Sequence, residues 1–311
     1  MYLYNKKVSI YNKINDYYKD YQWGLRYSKF DNYFDIILGK ELQKVKIAII
    51  DSGMDIEHED FSKNILPGWN FLSNNSDIYD SLGHGTAITG VLAAKANNNI
   101  GVAGIIDSAQ IVPIKIIDTL EETTLEVLIE ALYYIAEICV DVVNISLGFA
   151  NIKHMDFKYL MLVQELQKAI NKVAAQNTII VAAIGNNPYR DIDYPAACEN
   201  VIAVGSYGIA GRNKELYIAR GNFSYDKIIY APGEYIFTTL PNNKYGYRSG
   251  SSLATPFVSG AIAIIKSIKP NITYKEVKNM LFLTADRIEK NGDSFYTLNI
   301  DSLIKRVIEN E

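Results

Sequence analysis

Val45-Lys46-Ile47-Ala48-Ile49-Ile50-Asp51-Ser52-Gly53 is a nearly unbroken β-branched run that ends on a carboxylate and a glycine. Apolar residues at consecutive positions bury both faces of a strand, which is how the inner strands of a parallel sheet read. Comparable runs near 110–117, 141–147, 178–184 and 201–205 alternate with helical patterns near 84–96, 123–138, 158–176 and 252–268. That alternation predicts an α/β fold of three layers, a mostly parallel central sheet with helices on both faces. Residues 275–285 and 300–309 read as closing helices, and Lys214 to Gly250, richer in Tyr and Gly, as hairpins and loops. Open α/β sheets bind ligands beyond the carboxyl ends of their strands, where Asp51 stands. By itself, an aspartate after a strand is more often a helix cap or a turn residue.

Composition agrees with one large domain. The chain has 311 residues, 49% of them hydrophobic, and no Gly/Ser-rich linker or repeat divides it. The organisation expected is an N-terminal extension over residues 1–15 and one domain over 16–311. With a formal charge of −4 and scattered Lys and Arg, nothing points to nucleic acid. Cys139 on a helix and Cys198 in a loop form no disulfide framework and are expected to be free thiols. The first forty residues hold no apolar signal core, and no run of about 18 apolar residues is evident, so a cytoplasmic protein without a membrane partner is expected.

A second stretch, Gly250-Ser251-Ser252-Leu253-Ala254-Thr255-Pro256-Phe257-Val258, places Ser252 where a strand-like approach turns into a small-residue helix. Pro256 is expected in the first turn of that helix, where its missing N–H costs nothing. Ser252 then lies among unpaired N–H groups and the positive end of the dipole, which stabilise an oxyanion. A lone Gly-Ser-Ser is more often a cap, and a serine becomes a nucleophile only with a histidine base held by a third group. Of three histidines, His84 alone lies in a small-residue helix start, Gly83-His84-Gly85-Thr86-Ala87. His58 and His154 lie among charged or loop-like residues and are expected to be solvated.

Asp51-Ser52-Gly53, His84-Gly85-Thr86 and Gly250-Ser251-Ser252-Leu253-Ala254-Thr255-Pro256, in that order, resemble the subtilisin-like serine proteases, over nearly the whole chain from Gln22 to Ile300. The resemblance implies that His84 takes the proton of Ser252 and that Asp51 orients His84. It also implies that Asn186, after the strand pattern 178–184 and Gly185, donates its amide to the oxyanion, although an isolated Gly-Asn is normally a turn. Ser146-Leu147-Gly148 would pair with the substrate backbone and wall the pocket for the residue before the cleaved bond. Asp193, just before Tyr194-Pro195, would lie at the bottom of that pocket and favour Arg or Lys there, unless it pairs with Arg190 instead.

The same resemblance suggests a structural calcium ion held by Asp16, Asp60 and Asn98, oxygen donors that suit a hard cation. Asp60 as a helix cap and the Asn97–Asn99 run as a turn are the ordinary alternatives. Short family members include general intracellular proteases and leader peptidases of lanthionine-containing peptides. Phe237-Thr238-Thr239, the segment after Ser252 and Leu298-Asn299-Ile300 look more like the leader peptidases. The expected function is therefore limited proteolysis that removes the leader of a precursor peptide after a basic residue. The alternatives are general degradation of unfolded protein and, from another class, an inactive relative that binds peptides without cutting them.

Overall fold

The computed structural model describes residues 14–30, 43–119, 122–151, 156–211, 215–219, 221, 228–290 and 293–309. Residues 1–13 of the expected extension, and His154, lie outside the described residues.

Strand β1 (Lys46–Asp51) pairs in parallel with both β3 (Gln110–Lys115) and β4 (Val142–Ile145), so it is interior, as its apolar run requires. The other strands are β2 (Trp69–Asn70), β5 (Ile179–Ala183), β6 (Val201–Ala210), β7 (Glu215–Ile218), β8 (Ile229–Pro232), β9 (Ile236–Leu240), β10 (Lys244–Arg248), β11 (Asp286–Lys290) and β12 (Asp293–Thr297). The main sheet runs β11-β12-β8-β6-β5-β4-β1-β3-β2, with β7 antiparallel on β6, while β9 and β10 form a separate hairpin.

Side chains alternate across this sheet and create two cores. Ile47 and Ile49 enter one, together with Val142, Ile179 and Val181; Ala48 and Ile50 enter the other, with Val143, Ile145 and Ile180. The first core is covered by α2 (His84–Ala93), α5 (Ser251–Ile268), α6 (Tyr274–Thr284) and α7 (Ile300–Glu309), and a short α1 (Trp23–Tyr27) contributes Leu25. The second is covered by α3 (Leu125–Ile138) and α4 (Phe157–Ala174). Three layers result, as predicted.

Local chemistry explains the helix starts. Thr124 and Asp156 accept the N–H groups of Val127 and Tyr159, and Thr273 with Glu276 forms a reciprocal capping box. Helix α5 is long and apolar enough to cross a membrane by length and composition, yet 89% of it is buried inside the fold. Gly260 explains how it packs so closely: a Cβ there would lie 2.5 Å from Ile105 Cγ2.

Two features differ from expectation. Pro256 is the sixth residue of α5, well past the first turn. The hairpin β11–β12 was not anticipated, although Asn291-Gly292 between alternating residues is a hairpin signal. It extends the sheet by pairing β12 in parallel with β8.

Candidate active site

The end of β1 and the start of α2 meet beyond the carboxyl edge of the sheet. Gly83 adopts a left-handed conformation (φ 84°) and turns the chain so that His84 is the first residue of α2. His84 Nδ1 lies 2.7 Å from Asp51 Oδ1, with the carboxylate buried and the imidazole partly open to solvent. Asp51 Oδ1 also accepts the Ser52 N–H at 2.8 Å, and Asp51 Oδ2 is buried without a hydrogen-bond partner among the described residues. With Nδ1–H donated to Asp51, Nε2 is the acceptor of the neutral ring.

Ser252 is the second residue of α5 and is half-buried. The helix is entered through Gly250 at φ 139°, a backbone conformation that strains any residue with a Cβ. A Cβ there would lie 3.1 Å from Asn186 Nδ2 and 3.3 Å from Ser252 Oγ, so the glycine brings these two side chains to either side of one small space. Asn186 Oδ1 accepts the Ser251 N–H at 2.8 Å, which turns its NH₂ toward Gly250 and Ser252. The Ser252 N–H belongs to the first turn and has no acceptor within the helix. Two donors therefore stand near the Ser252 hydroxyl, the arrangement an oxyanion requires.

Pro256 has no N–H to offer the carbonyl of Ser252 four residues earlier. Ser146 Oγ takes that place, donating to the Ser252 carbonyl at 2.9 Å. Ser146 in turn accepts from Asn144 Nδ2 at 2.9 Å, and Asn144 Oδ1 accepts from Ser259 Oγ at 2.8 Å. All three side chains are buried. The expectation for Pro256 is thus corrected: a proline inside α5 is tolerated because β4 supplies the missing donor.

Ser146, Leu147 and Gly148 line one cleft with His84, Leu82 and Ile117. Asp193 lies against Gly148: a Cβ at 148 would be 2.8 Å from Asp193 Cβ and 3.1 Å from its Oδ2. Two backbone hydrogen bonds between Phe149 and Tyr194, at 2.7 and 2.8 Å, hold these segments together. Tyr159, which sequence reasoning missed, donates to the Ala150 carbonyl at 3.1 Å. Burial raises its phenol pKa, with Tyr194 and Asp193 adding to the effect. Its place on α4 carries no sequence signal for this contact.

Asp16, Asp60 and Asn98 also come together. Asp60 Oδ1 accepts from Asn98 Nδ2 at 2.8 Å and Oδ2 from the Val102 N–H at 2.7 Å; Asp16 Oδ2 accepts the Asn97 N–H at 2.9 Å. Gln22 fastens the N-terminal segment nearby through two hydrogen bonds to Ala103. Burial pushes the Asp60 carboxyl up to about 7 against the hydrogen bonds it accepts, and the charges of Asp16 and Glu59 add to the rise. Asp16 is raised by burial as well, and its Oδ1 is buried without a hydrogen-bond partner among the described residues. Two confined carboxylates and an orphaned oxygen fit a hard, oxygen-seeking cation. No cluster of three or more His, Cys, Asp or Glu is found among the described residues, so such an ion would also draw on Asn98 and backbone carbonyls.

His58 corrects another expectation. It is buried, with Nε2 3.2 Å from the Lys244 carbonyl and Nδ1 accepting the Asp60 N–H, so it braces the loop. Both cysteines are free; Cys139 is exposed, and burial pushes the Cys198 thiol up to about 12, which excludes it as a thiolate nucleophile near neutral pH.

Comparison with known proteins places these features in context. The sequence model described as "Subtilase family" matches residues 43–297. A thermophilic serine proteinase of Bacillus sp. (strain AK1) is 32% identical over 92% of this chain and 67% of its own length. The major intracellular serine protease of Bacillus subtilis (strain 168) is 34% identical over 74% of this chain and 70% of its own. The crystal structure of the nisin leader peptidase from Lactococcus lactis superposes with a TM-score of 0.76 at 25% identity, covering 92% of this chain and 94% of that one.

Proposed function

The chain belongs to the subtilase family and is a serine endopeptidase, and on that premise we propose that Asp51, His84 and Ser252 are its triad, with Asn186 as an oxyanion donor. The observation that carries this reading is the 2.7 Å contact between His84 Nδ1 and Asp51 Oδ1 at the ends of β1 and α2. Ser252 Oγ attacks the peptide carbonyl carbon as His84 Nε2 accepts its hydrogen, and Asp51 stabilises the imidazolium. The oxyanion is received by the Ser252 N–H and the Asn186 amide; His84 then returns the proton to the departing amine, and water cleaves the acyl-enzyme by the same steps.

The substrate reading goes further. Ser146, Leu147 and Gly148 pair with an extended peptide, and Asp193 beside Gly148 selects Arg or Lys before the cut bond, because either cation would otherwise be confined unpaired. The preferred job is limited proteolysis that removes the leader of a lanthionine-containing precursor, a reading supported by that carboxylate and by the likeness to the nisin leader peptidase. General degradation of unfolded protein is the second reading, favoured by the 34% identity to an intracellular protease. That relative and the free thiols support a cytoplasmic setting, which cell fractionation tests.

Calcium would be held by Asp60, Asp16 and Asn98, where it would neutralise two buried carboxylates and tie residues 14–22 to the loop after α2.

The experiment has two parts. Wild type should react with a fluorophosphonate probe and Ser252→Ala should fold yet not react; labelling of the variant to the same extent would reject Ser252 as nucleophile and leave a peptide-binding role. Cleavage of a lanthionine precursor at one basic site, compared with unfolded casein, separates the two substrate readings: equal digestion of both favours general degradation.

A further inference from the structure

A second buried carboxylate ties the start of α2 to the end of β1, and the chemistry above makes no use of it. Asp80 is fully buried. Its Oδ1 accepts the Ser52 hydroxyl and the Gly83 N–H, both at 2.7 Å, and its Oδ2 accepts the N–H and hydroxyl of Thr86, also at 2.7 Å. Every one of these is a donor, so the site is built for an acceptor with two oxygens.

Ser52 lies between this carboxylate and Asp51. Its hydroxyl has one hydrogen and two carboxylate oxygens in reach, Asp80 Oδ1 at 2.7 Å and Asp51 Oδ1 at 3.3 Å. Both acceptors are carboxylates, and the shorter contact takes the hydrogen. The same hydroxyl oxygen accepts the Gly85 N–H at 2.9 Å, one residue beyond His84. The other charged groups facing this network are Lys115, whose ammonium donates to the Ser52 and Tyr79 carbonyls at 2.8 and 2.7 Å, and Asp55, which accepts the Asn242 N–H at 2.7 Å. Neither reaches the Ser52 hydroxyl.

We propose that Asp80 is a positioning residue for the hydrolysis: by holding the hydrogen of the Ser52 hydroxyl it keeps a third donor off Asp51 Oδ1, which already accepts His84 Nδ1–H and the Ser52 N–H. A hydrogen bond to a carboxylate lowers its basicity, so a hydroxyl turned toward Asp51 would weaken its support of the imidazolium. Asp80 prevents that turn and, through Gly83, Thr86 and the Ser52–Gly85 contact, fixes the first turn of α2 on which His84 sits. The inference rests on His84 being the base.

The test is the pH dependence of kcat/KM for wild type, His84→Ala, Asp80→Asn, Ser52→Ala and the double variant, each normalised by fluorophosphonate titration of active sites. Asp80→Asn should release the hydroxyl to Asp51, lowering the midpoint of the acidic limb by about one pH unit and kcat by about tenfold, with KM little changed. Ser52→Ala should lose turnover because the Gly85 N–H loses its acceptor, yet keep the acidic limb in place. In that background Asp80→Asn has no hydroxyl to redirect and should shift the limb by less than half as much. An unmoved limb in Asp80→Asn, or an equal shift with and without the hydroxyl, overturns the proposal. If Asp80→Asn does not fold, Ser52→Ala alone decides, since an acidic limb that rises on removal of the hydroxyl means that it was donating to Asp51. Wild-type turnover in His84→Ala is a separate result, one that removes the base itself.

Discussion

Ser146 Oγ donates a 2.9 Å hydrogen bond to the carbonyl of Ser252, the carbonyl that Pro256 leaves without a helical partner. The residue that opens the proposed substrate-binding segment thereby also fixes the backbone of the proposed nucleophile. Ser146→Ala leaves that carbonyl and the Asn144 amide short of a partner in a buried setting, an expected loss of about 1–3 kcal/mol of stability. Restoring an N–H with Pro256→Ala in the same chain should recover part of it. Urea denaturation of the three variants checks this, and full additivity of the two single changes would show that Pro256 and Ser146 do not share the carbonyl.

Asn186 is exposed at the rim, and its carbonyl oxygen is committed to the Ser251 N–H at 2.8 Å. Asn186→Ala should therefore lower kcat by about 10²–10³, a magnitude measured in a subtilisin rather than one calculated from this chain. Steady-state kinetics should show KM nearly unchanged, because the oxyanion exists only after attack. A loss confined to KM would make Asn186 a substrate-positioning group.

Asp193 packs against Gly148, a residue of the cleft, and the proposed pocket gives its carboxylate the role of selecting a cation. Asp193→Gly should cut kcat/KM on peptides with Arg or Lys before the cut bond by about tenfold or more, and change apolar peptides far less. Equal losses on both peptide sets would take the residue out of the pocket.

Asp60 and Asp16 are buried together, and burial holds both carboxyls above their ordinary range, with the charges of Asp16 and Glu59 adding to the rise at Asp60. Millimolar calcium should raise the melting temperature by about 5 °C or more relative to EGTA. Asp60→Asn should lose that response yet melt no lower than wild type in EGTA, since it removes a buried charge. Superimposable wild-type curves in calcium and EGTA would dismiss the ion.

Much of the fold was legible along the chain because its signals are short-ranged. The β-branched run from Val45 to Ile50, the capping residues Thr124 and Thr273 and the small-residue starts at His84 and Ser251 act within a turn or a strand, and the predicted elements match the observed ones to within a few residues. The motifs at Asp51, His84, Asn186 and Ser252 were legible for the same reason, each sitting where a strand or helix ends. Convergence was not legible. Ser146 meets Ser252 across 106 residues, and Ser52 meets Asp80 across 28. Such contacts depend on the parallel register of β1 with β3 and β4 and on how closely α5 packs beneath them. Sequence alone therefore determined which residues could act and on which elements they stand. Tertiary structure decided what each acts upon: it buried His58 as a brace, gave Pro256 a donor from β4 and set Asp80 behind Ser52. Hydrogen bonds are lost within a few tenths of an ångström, a precision that only the packed sheet and helices supply.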